Sequence, residues 1–228
     1  MDKLVKYLCI IQARVNSTRL PSKVMLDLAG KTLLERVYQS VSKSKRINKI
    51  VVATSNQKTD DIIKLKLDEL NIACYRGDLD NVLKRFYDTA TEFKAENIIR
   101  ITADNPLMDG IIIDELIELY ESKDVEYSMF SNAIYGLSAE VFSFKSLQKA
   151  YENARNDYDK EHVTPYIKDN AIGCIEDIKV KYRLPSLSAT VDTLDDYIKM
   201  NKFYLFCSKN NHIPDINYFI TNQSQNGG

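Results

Sequence analysis

Residues 13–23 decide how the chain is organised, and their sequence is Ala13-Arg14-Val15-Asn16-Ser17-Thr18-Arg19-Leu20-Pro21-Ser22-Lys23. An apolar run, Leu8 to Ile11, precedes them, and an amphipathic segment, Thr32 to Lys43, follows them. This order predicts a strand, a cationic loop and then a helix. Backbone N–H groups after a buried strand and at a helix N-terminus attract anions, and Arg and Lys side chains complement phosphate oxygens. We therefore expect a polyphosphate-binding loop, with a solvated surface loop as the alternative.

The following part of the chain alternates short apolar runs with amphipathic segments. Strands are predicted at residues 4–12, 49–54, 73–75 and 97–102, each followed by a helix. The alternation predicts an α/β fold with a mostly parallel sheet, helices on both faces and ligand sites at the carboxyl ends of the strands. Two extended pieces between 126 and 144 interrupt the pattern and predict a small middle lobe at about 126–175. We expect a single domain over 1–221 and a flexible tail at 222–228.

Local signals also predict where later elements begin and end. Strands are expected at 175–182 and 187–191. Asp80 is placed to cap the helix that follows a turn at Arg76-Gly77-Asp78. The run Thr193-Leu194-Asp195-Asp196 has the pattern of a capping box that opens a helix to about Lys209. Asp192 is therefore expected between the end of a strand and the start of a helix.

The overall composition excludes several classes of partner. The 228 residues include 31 Lys or Arg and 32 Asp or Glu, so the net charge of −1 provides no global field for nucleic acid or an anionic membrane surface. No apolar run approaches the ~20 residues that span a bilayer, and the N-terminus lacks a secretory signal pattern, so we expect a cytoplasmic protein without membrane contact. Four cysteines without C-x-x-C spacing predict reduced thiols, and two histidines provide little material for a zinc site.

Five motifs, in order along most of the chain, resemble one enzyme family. They are Ile10-Ile11-Gln12-Ala13-Arg14 with Ser17-Thr18-Arg19-Leu20-Pro21 and Lys23-Val24, then Arg100 to Leu107, Glu140 to Phe142, Glu161 to Ile167 and Thr190 to Thr193. Here the chain is similar to the cytidylyltransferase-like proteins of spore-coat polysaccharide biosynthesis, relatives of 3-deoxy-manno-octulosonate and acylneuraminate cytidylyltransferases. The resemblance implies a three-layer, Rossmann-like fold of the nucleotide-diphospho-sugar transferase type. It also implies transfer of CMP from CTP to an acidic sugar of the ulosonate or nonulosonate type, with release of pyrophosphate.

The resemblance further implies which residues bind the nucleotide. The matching positions are Ala13, Arg14, Ser17, Arg19 and Lys23 in the loop, and Arg76, Gly77, Asp80 and Arg85 near the base and ribose. Cations held beside the α-phosphorus stabilise the charge that grows on the departing pyrophosphate, so Arg14 and Lys23 are expected to be catalytic. As plain sequence, residues 76–85 indicate only a turn and a helix cap. Asn16 and Ser22 replace two glycines that are common in the family's loop.

Asp104 and Asp192 each follow a predicted strand, and the resembled family binds Mg²⁺ through acidic residues at these positions. Carboxylate oxygens suit this cation, and substrate phosphates usually complete its coordination. The resemblance therefore implies that both residues are catalytic metal ligands and that Asp104 also contacts the nucleotide. The alternative for Asp104 is a residue that turns the chain before Pro106. The alternative for Asp192 is a carboxylate that, like Asp195 and Asp196, interacts with a helix dipole.

The positions that match the family's acceptor site are Glu140, Glu161, His162 and Tyr166. A homodimer is expected from the dimers common among relatives and from the preference of soluble proteins for twofold pairing. Three other functions stay open: a nucleotidylyltransferase for a sugar phosphate or phosphonate, a glycosyltransferase that uses a nucleotide sugar, and a non-catalytic nucleotide-binding module. The string Asp104-Asn105-Pro106 lacks the D-x-D motif typical of glycosyltransferases, and the presence of Lys23 with Asp104 and Asp192 argues against a decayed enzyme.

Overall fold

β1, Val5–Gln12, lies inside a seven-stranded sheet in a computed structural model that describes residues 4–184 and 186–225. The other strands are β2 Lys49–Ser55, β3 Cys74–Gly77, β4 Ala95–Thr102, β5 Tyr127–Ser131, β6 Glu140–Ser143 and β7 Gly173–Asp177. Their order across the sheet is β3-β2-β1-β4-β6-β5-β7. β6 is antiparallel to both of its neighbours, and the other neighbouring pairs are parallel. The predicted α/β fold with a mostly parallel, mixed sheet is confirmed.

Helices cover both faces of the sheet. They are α1 Leu33–Val41, α2 Asp61–Glu69, α3 Val82–Glu92, α4 Gly110–Ser122, α5 Phe144–Asn153, α6 Asp157–His162, α7 Pro165–Asn170, α8 Leu194–Lys209 and α9 Ile216–Gln225. Successive side chains of β1 point to opposite faces. Cys9 and Ile11 join a core with α1, α2, α4, α8 and α9, whereas Leu8 and Ile10 join a second core with α3, α5 and α7. A strand buried on both faces is expected to be a nearly continuous apolar run, as β1 is.

Capping residues fix where two of the helices near the ligand-binding end of the sheet begin. At the start of α8, Thr193 and Asp196 form the predicted capping box. At the start of α3, the cap is Asn81, whose side chain accepts a hydrogen bond from Lys84 N at 2.9 Å. The prediction that Asp80 caps this helix is therefore wrong, because the preceding turn extends one residue further than the sequence pattern indicated. Asp80 instead lies exposed in that turn.

The middle and C-terminal segments differ from the expected boundaries. β5 and β6, the two extended pieces of the expected middle lobe, pair with each other, and β6 also pairs with β4, so both strands are continuous with the main sheet. β7 ends at Asp177, and residues 187–191 form no strand but one bridge, between Tyr135 and Ser188. α9 continues to Gln225, so the first residues of the expected tail are helical, and 226–228 lie outside the described residues. In the described part of the chain, no helix is both long and apolar enough to cross a membrane.

Candidate active site

The cationic loop begins where β1 ends, between its parallel neighbours β2 and β4. Ala13 N donates a hydrogen bond to Ala53 O at 3.1 Å, which continues the alignment of the loop with β2. Ser22 adopts a φ of +59° immediately before a short 3₁₀ helix, Lys23–Met25. This left-handed conformation is one that glycine adopts without steric cost. It explains in backbone terms why glycine is common at this position of the resembled loop.

The carboxylate of Asp60 holds the loop against β2. One of its oxygens accepts from Val15 N at 2.8 Å, and the other accepts from Thr54 Oγ1 at 3.0 Å and from Ser55 N at 3.1 Å. Asp60 is 1% exposed. A carboxylate is buried at acceptable cost only when its oxygens are hydrogen-bonded, so these contacts couple the loop firmly to the sheet. Sequence patterns did not identify Asp60, because it resembles an ordinary carboxylate at the start of a helix.

Asp104 and Asp192 lie side by side at the same end of the sheet. Asp104 follows β4, and its carbonyl oxygen accepts hydrogen bonds from Val191 N at 2.9 Å and from Thr190 Oγ1 at 3.4 Å. These two bonds bring the segment before α8 alongside the end of β4. Two carboxylates that are far apart in sequence therefore face one region, as predicted. The prediction that both follow strands is correct only for Asp104, because the segment 187–191 before Asp192 forms no strand.

Lys23 joins the two carboxylates. Its Nζ lies 2.7 Å from Asp104 Oδ2 and 2.8 Å from Asp192 Oδ1, and Arg19 Nη2 lies 2.9 Å from the same oxygen of Asp192. Burial acts to lower the pKa of Lys23, but Asp104 and Asp192 together act more strongly, so the pKa is raised above its ordinary value. Lys23 therefore stays charged at the base of the site. The Lys23 and Asp192 side chains are about a tenth exposed, whereas that of Arg19 is 62% exposed.

A cleft of about 320 Å³ opens beside this ion-pair group. The predicted site residues that line it are Ala13, Arg14, Ser17, Arg19, Lys23, Arg85, Asp104, Glu161, His162 and Asp192. Its lining contains five Arg or Lys side chains and three Asp or Glu side chains. The volume falls within the range of small-molecule sites, and the excess of positive charge attracts an anionic ligand.

Arg85 reaches this cleft from α3 as a buried cation. It is 2% exposed, and its Nη1 donates to Asp78 O at 2.7 Å. Burial lowers the pKa of Arg85 to about 10, and the nearby Arg14 acts in the same direction. Its Nε has no hydrogen-bond partner among the described residues. Gly77 makes room for this side chain, since a Cβ at position 77 would lie 3.0 Å from Arg85 Cγ.

The structure places three predicted nucleotide-binding residues outside the cleft lining: Gly77, which packs against Arg85, and also Arg76 and Asp80. Arg76 forms an ion pair with Asp61 at 2.7 Å and donates from Nε to Ser55 O at 2.9 Å. These contacts tie β3 to the region between β2 and α2. Asp80 lies in the exposed turn before α3, where its N–H donates to Asp78 Oδ1 at 2.9 Å. Arg76 and Asp80 are therefore held by local structural contacts.

The four residues expected at the acceptor site separate into two pairs. Glu161 and His162 line the cleft, where Glu161 lies 3.5 Å from Arg14 and the ring of His162 lies 4.4 Å from that of Tyr158. Glu140 is only 5% exposed, because β6 is an interior strand and buries it. Tyr166 lies on α7 and lines a different, small pocket.

Asp104 and Asp192 have the donor chemistry of a magnesium site. Within the described residues, the side-chain contacts to them use only Oδ2 of Asp104 and Oδ1 of Asp192, which leaves the second oxygen of each carboxylate for another ligand. The same part of the chain contains no group of three or more His, Cys, Asp or Glu side chains arranged to hold a metal. A cation here therefore needs further oxygen ligands from phosphate and water, which is the usual environment of Mg²⁺.

Seven residues of the cleft lining were not predicted as site residues, and three of them lie on strands: Gln12 on β1, and Arg100 and Thr102 on β4. Their side chains lie on the same face of β1 and β4 as the apolar core beneath α3, α5 and α7, but closer to the strand ends. Arg100 could have been identified from the sequence, because it is a cation within the otherwise apolar run Ile98 to Ile101. A charged residue inside a buried strand requires either a buried partner or a ligand.

Comparisons with known proteins agree with this geometry. A family model described as cytidylyltransferase matches residues 8–211. The chain is 34% identical over 217 residues to spore coat polysaccharide biosynthesis protein SpsF of Bacillus subtilis, a match that covers 92% of this chain and 89% of that protein. It is 35% identical over 117 residues to the 3-deoxy-manno-octulosonate cytidylyltransferase of Francisella tularensis, which covers 50% of this chain and 46% of that enzyme.

The solved structure of a cytidylyltransferase from Leptospira borgpetersenii matches the fold with a TM-score of 0.82 and 27% sequence identity. That match covers 89% of this chain and 87% of the other. The similarity in fold therefore extends over most of both chains.

Proposed function

The chain belongs to the cytidylyltransferase family, and we propose that it transfers CMP from CTP to an acidic sugar of the ulosonate or nonulosonate type. Relatives named for spore coat polysaccharide biosynthesis and for 3-deoxy-manno-octulosonate support a role in surface polysaccharide or glycan synthesis. One observation carries the proposal: Lys23 contacts both Asp104 and Asp192 at the base of a cleft with an excess of positive charge. This arrangement suits a triphosphate that is bound with a cation.

The loop residues bind and polarise the triphosphate. An acceptor oxygen attacks the α-phosphorus, the bond from that phosphorus to the bridging oxygen breaks, and the electron pair leaves with pyrophosphate. Lys23, Arg14 and Arg19 line the cleft and stabilise the charge that grows on the leaving group. Because Asp60 and β2 fix the loop before the ligand arrives, these charges need little rearrangement during the reaction.

In this proposal, Asp104 and Asp192 would hold Mg²⁺. When bound, the ion neutralises phosphate charge and orients the triphosphate. The two carboxylates also keep Lys23 charged and fixed between them. Arg19 restrains Asp192 from the solvent side at 2.9 Å.

Two sets of cleft residues are assigned to the base and to the acceptor. Arg85 comes from α3, which packs against β3 and the strands beside it, and we assign the base and ribose to this residue. Glu161 and His162 come from α6, which packs against α3, and we assign the acceptor to them. Arg14, 3.5 Å from Glu161, links the loop to the acceptor residues.

The test is a screen of CTP, UTP, GTP and ATP against acidic sugars, sugar phosphates and phosphonates, with pyrophosphate release as the readout. We expect release with CTP and an acidic sugar. Release only with sugar phosphates or phosphonates would instead indicate a nucleotidylyltransferase for those acceptors. Consumption of a nucleotide sugar without pyrophosphate would select the glycosyltransferase, and tight CTP binding without turnover would select the non-catalytic module.

A matched pair of variants links the activity to this cleft. Lys23→Ala removes the cation beside the two carboxylates and is expected to lower turnover by about 10²-fold or more. Lys45→Ala removes an exposed lysine outside the cleft and serves as the control. Equal turnover in the two variants would reject the loop as the phosphate-binding element.

We also propose that the chain forms a homodimer. β7 is an edge strand, and it carries Ile175, which is 56% exposed, while the preceding Ile172 is 69% exposed. An edge strand with exposed apolar side chains readily pairs with another copy.

A further inference from the structure

Arg100 lines the cleft from β4, and two contacts fix its guanidinium group. Nε donates to Gln12 Oε1 at 3.2 Å, and Nη1 donates to Glu140 Oε2. The side chain is 17% exposed and lines the cleft. Neither contact uses Nη2, and no described residue accepts a hydrogen bond from that atom. The planar donor group is therefore held rigidly with one edge available to a ligand.

Glu140 is committed to other groups of the chain rather than to a ligand. It faces Arg100 directly across the β4–β6 pair. Its Oε1 accepts from Tyr127 OH at 2.8 Å, Thr164 Oγ1 at 2.9 Å and Lys168 Nζ at 2.9 Å. Burial acts to raise the pKa of Glu140, but Arg100 and Lys168 lower it to about 2. The carboxylate is therefore charged and fully bonded, which suits a residue that positions Arg100.

The charge balance around Glu140 favours an anion in the cleft. Two cations, Arg100 and Lys168, share one carboxylate, so the group carries one excess positive charge. Of the two cations, Arg100 is the one that lines the cleft. Arg binds planar carboxylates with two parallel hydrogen bonds more readily than Lys does. An anionic group of the ligand, paired with Arg100, would balance the excess positive charge.

Arg100 contacts a different set of residues from the ion-pair group around Lys23. It lies on β4 four residues before Asp104, and because the last two of these residues form a turn, their Cα atoms are less than the ~13 Å apart that an extended chain would span. Lys23, Arg19 and the two carboxylates contact one another. Arg100 instead contacts Gln12 and Glu140, and it lines the same cleft as Glu161 and His162 of α6.

We propose that Arg100 binds the carboxylate of the acidic acceptor and that Glu140 and Gln12 are positioning residues for its guanidinium group. This inference rests on the proposed function and adds to it the residue that distinguishes an acidic sugar from a neutral one. A charge-assisted hydrogen bond of this kind contributes about 1.5–3 kcal/mol, which corresponds to about 10- to 150-fold in acceptor preference.

The experiment compares acids with their uncharged esters. The probes are 3-deoxy-manno-octulosonate, N-acetylneuraminate and the methyl esters of both, with CTP as donor. The variants are Arg100→Met, Arg100→Lys and Glu140→Gln. Lys168→Met is the matched control, because it removes the other cation of Glu140 without changing the cleft lining. Pyrophosphate release gives kcat and KM, calorimetry gives the Kd for CTP, and circular dichroism confirms folding.

We expect the wild type to prefer an acid over its ester. In Arg100→Met this preference should fall to near one through a 10- to 100-fold rise in KM for the acid, with the Kd for CTP changed less than about twofold. Arg100→Lys should recover part of the preference, Glu140→Gln should reduce it, and Lys168→Met should retain it. The inference about Arg100 is overturned, while the proposed function stands, if Arg100→Met keeps the acid preference. It is also overturned if the affinity for CTP falls as much as the KM for the acid rises. A wild type that uses none of the acids overturns the proposed function and this inference together.

Discussion

Replacement of Lys23 by methionine tests the ion-pair group at the base of the cleft. The change keeps an unbranched side chain but removes the ammonium that lies 2.7 Å from Asp104 and 2.8 Å from Asp192. Because the two carboxylate oxygens contact the same Nζ at 2.7 and 2.8 Å, they lie at most 5.5 Å apart, and two negative charges at that distance repel by about 3 kcal/mol at an effective dielectric constant of ~20. Removing one partner of a buried ion pair costs about 3–5 kcal/mol. Because Asp104 keeps some solvent contact, we expect the lower end, about 3 kcal/mol of unfolding free energy.

The assay is urea unfolding of Lys23→Met at pH 7, alongside Arg19→Met as the matched control. Arg19 contacts the same Asp192 oxygen but is mostly exposed, so its loss should cost at most about 1 kcal/mol. The melting temperature of Lys23→Met should fall by about 6–12 °C. Addition of Mg²⁺ should raise it more than that of the wild type, because the ion restores positive charge between the carboxylates. Equal stability of the two variants without Mg²⁺ would refute this account of the site.

The pH dependence provides a second check on the same residue. The folded protein raises the pKa of Lys23 above its ordinary value of 10.5. A group with a raised pKa contributes its full stabilisation below the unfolded value and loses it as the pH rises through the folded value. The stability difference between wild type and Lys23→Met should therefore persist from pH 7 to about pH 10 and shrink only at higher pH.

Four further predictions follow from the site and the fold. Asp104→Asn and Asp192→Asn should each lower turnover by about 10²-fold or more at any Mg²⁺ concentration, with the exposed first-turn residue Asp195 as the Asp→Asn control; variants that melt early yet keep normal turnover would contradict the metal role. In a competition assay, CTP should react faster than the other three triphosphates. Equal rates with UTP would show that the enzyme is not specific for cytosine. The pKa of Glu140 in the folded protein, about 2, lies below its ordinary value of 4.5, so the stabilisation by this carboxylate is present above pH 4.5 and is lost as the pH falls toward 2. Glu140→Gln should therefore show a flatter dependence of stability on pH across that range. An identical dependence in the wild type and the variant would argue against a charged, stabilising Glu140. Light scattering at micromolar concentrations should give the mass of a dimer, and a monomer throughout would exclude the proposed assembly.

The meeting of the loop with Asp104 could be predicted because both occupy positions that topology fixes. Parallel strands end at one edge of a sheet, so residues that follow β1 and β4 meet whatever the intervening sequence contains. The loop after β1 and Asp104 after β4 are both of this kind. Asp192 was expected after a strand at 187–191, which the structure lacks, whereas the capping box at Thr193 correctly places it just before the start of α8.

The supporting residues could not be predicted, because their partners are distant in sequence and are selected by packing. Asp60 binds Val15, 45 positions away, and nothing near Asp60 indicates this contact. Glu140 matched an acceptor-binding position in the resembled family, but its burial depends on the insertion of β6 between β4 and β5. The strand pattern predicted two extended pieces there without showing which strands they would join.

β4 connects the two proposed binding functions of the cleft through its own geometry. Arg100 lies on it and Asp104 lies two residues after its end, so in our proposal the acceptor's acid group and the cation-bound triphosphate contact one short stretch of chain. The hydrogen bonds that Asp104 O accepts from Val191 N and Thr190 Oγ1 fix the turn after the strand, so the separation of these two groups should vary little. An acceptor whose carboxylate lies at the wrong distance from its attacking oxygen would then bind Arg100 without reaching the α-phosphorus. Under this proposal, selection among acidic sugars follows from the spacing of Arg100 and Asp104 as well as from the shape of the pocket, because reaction requires both contacts at once.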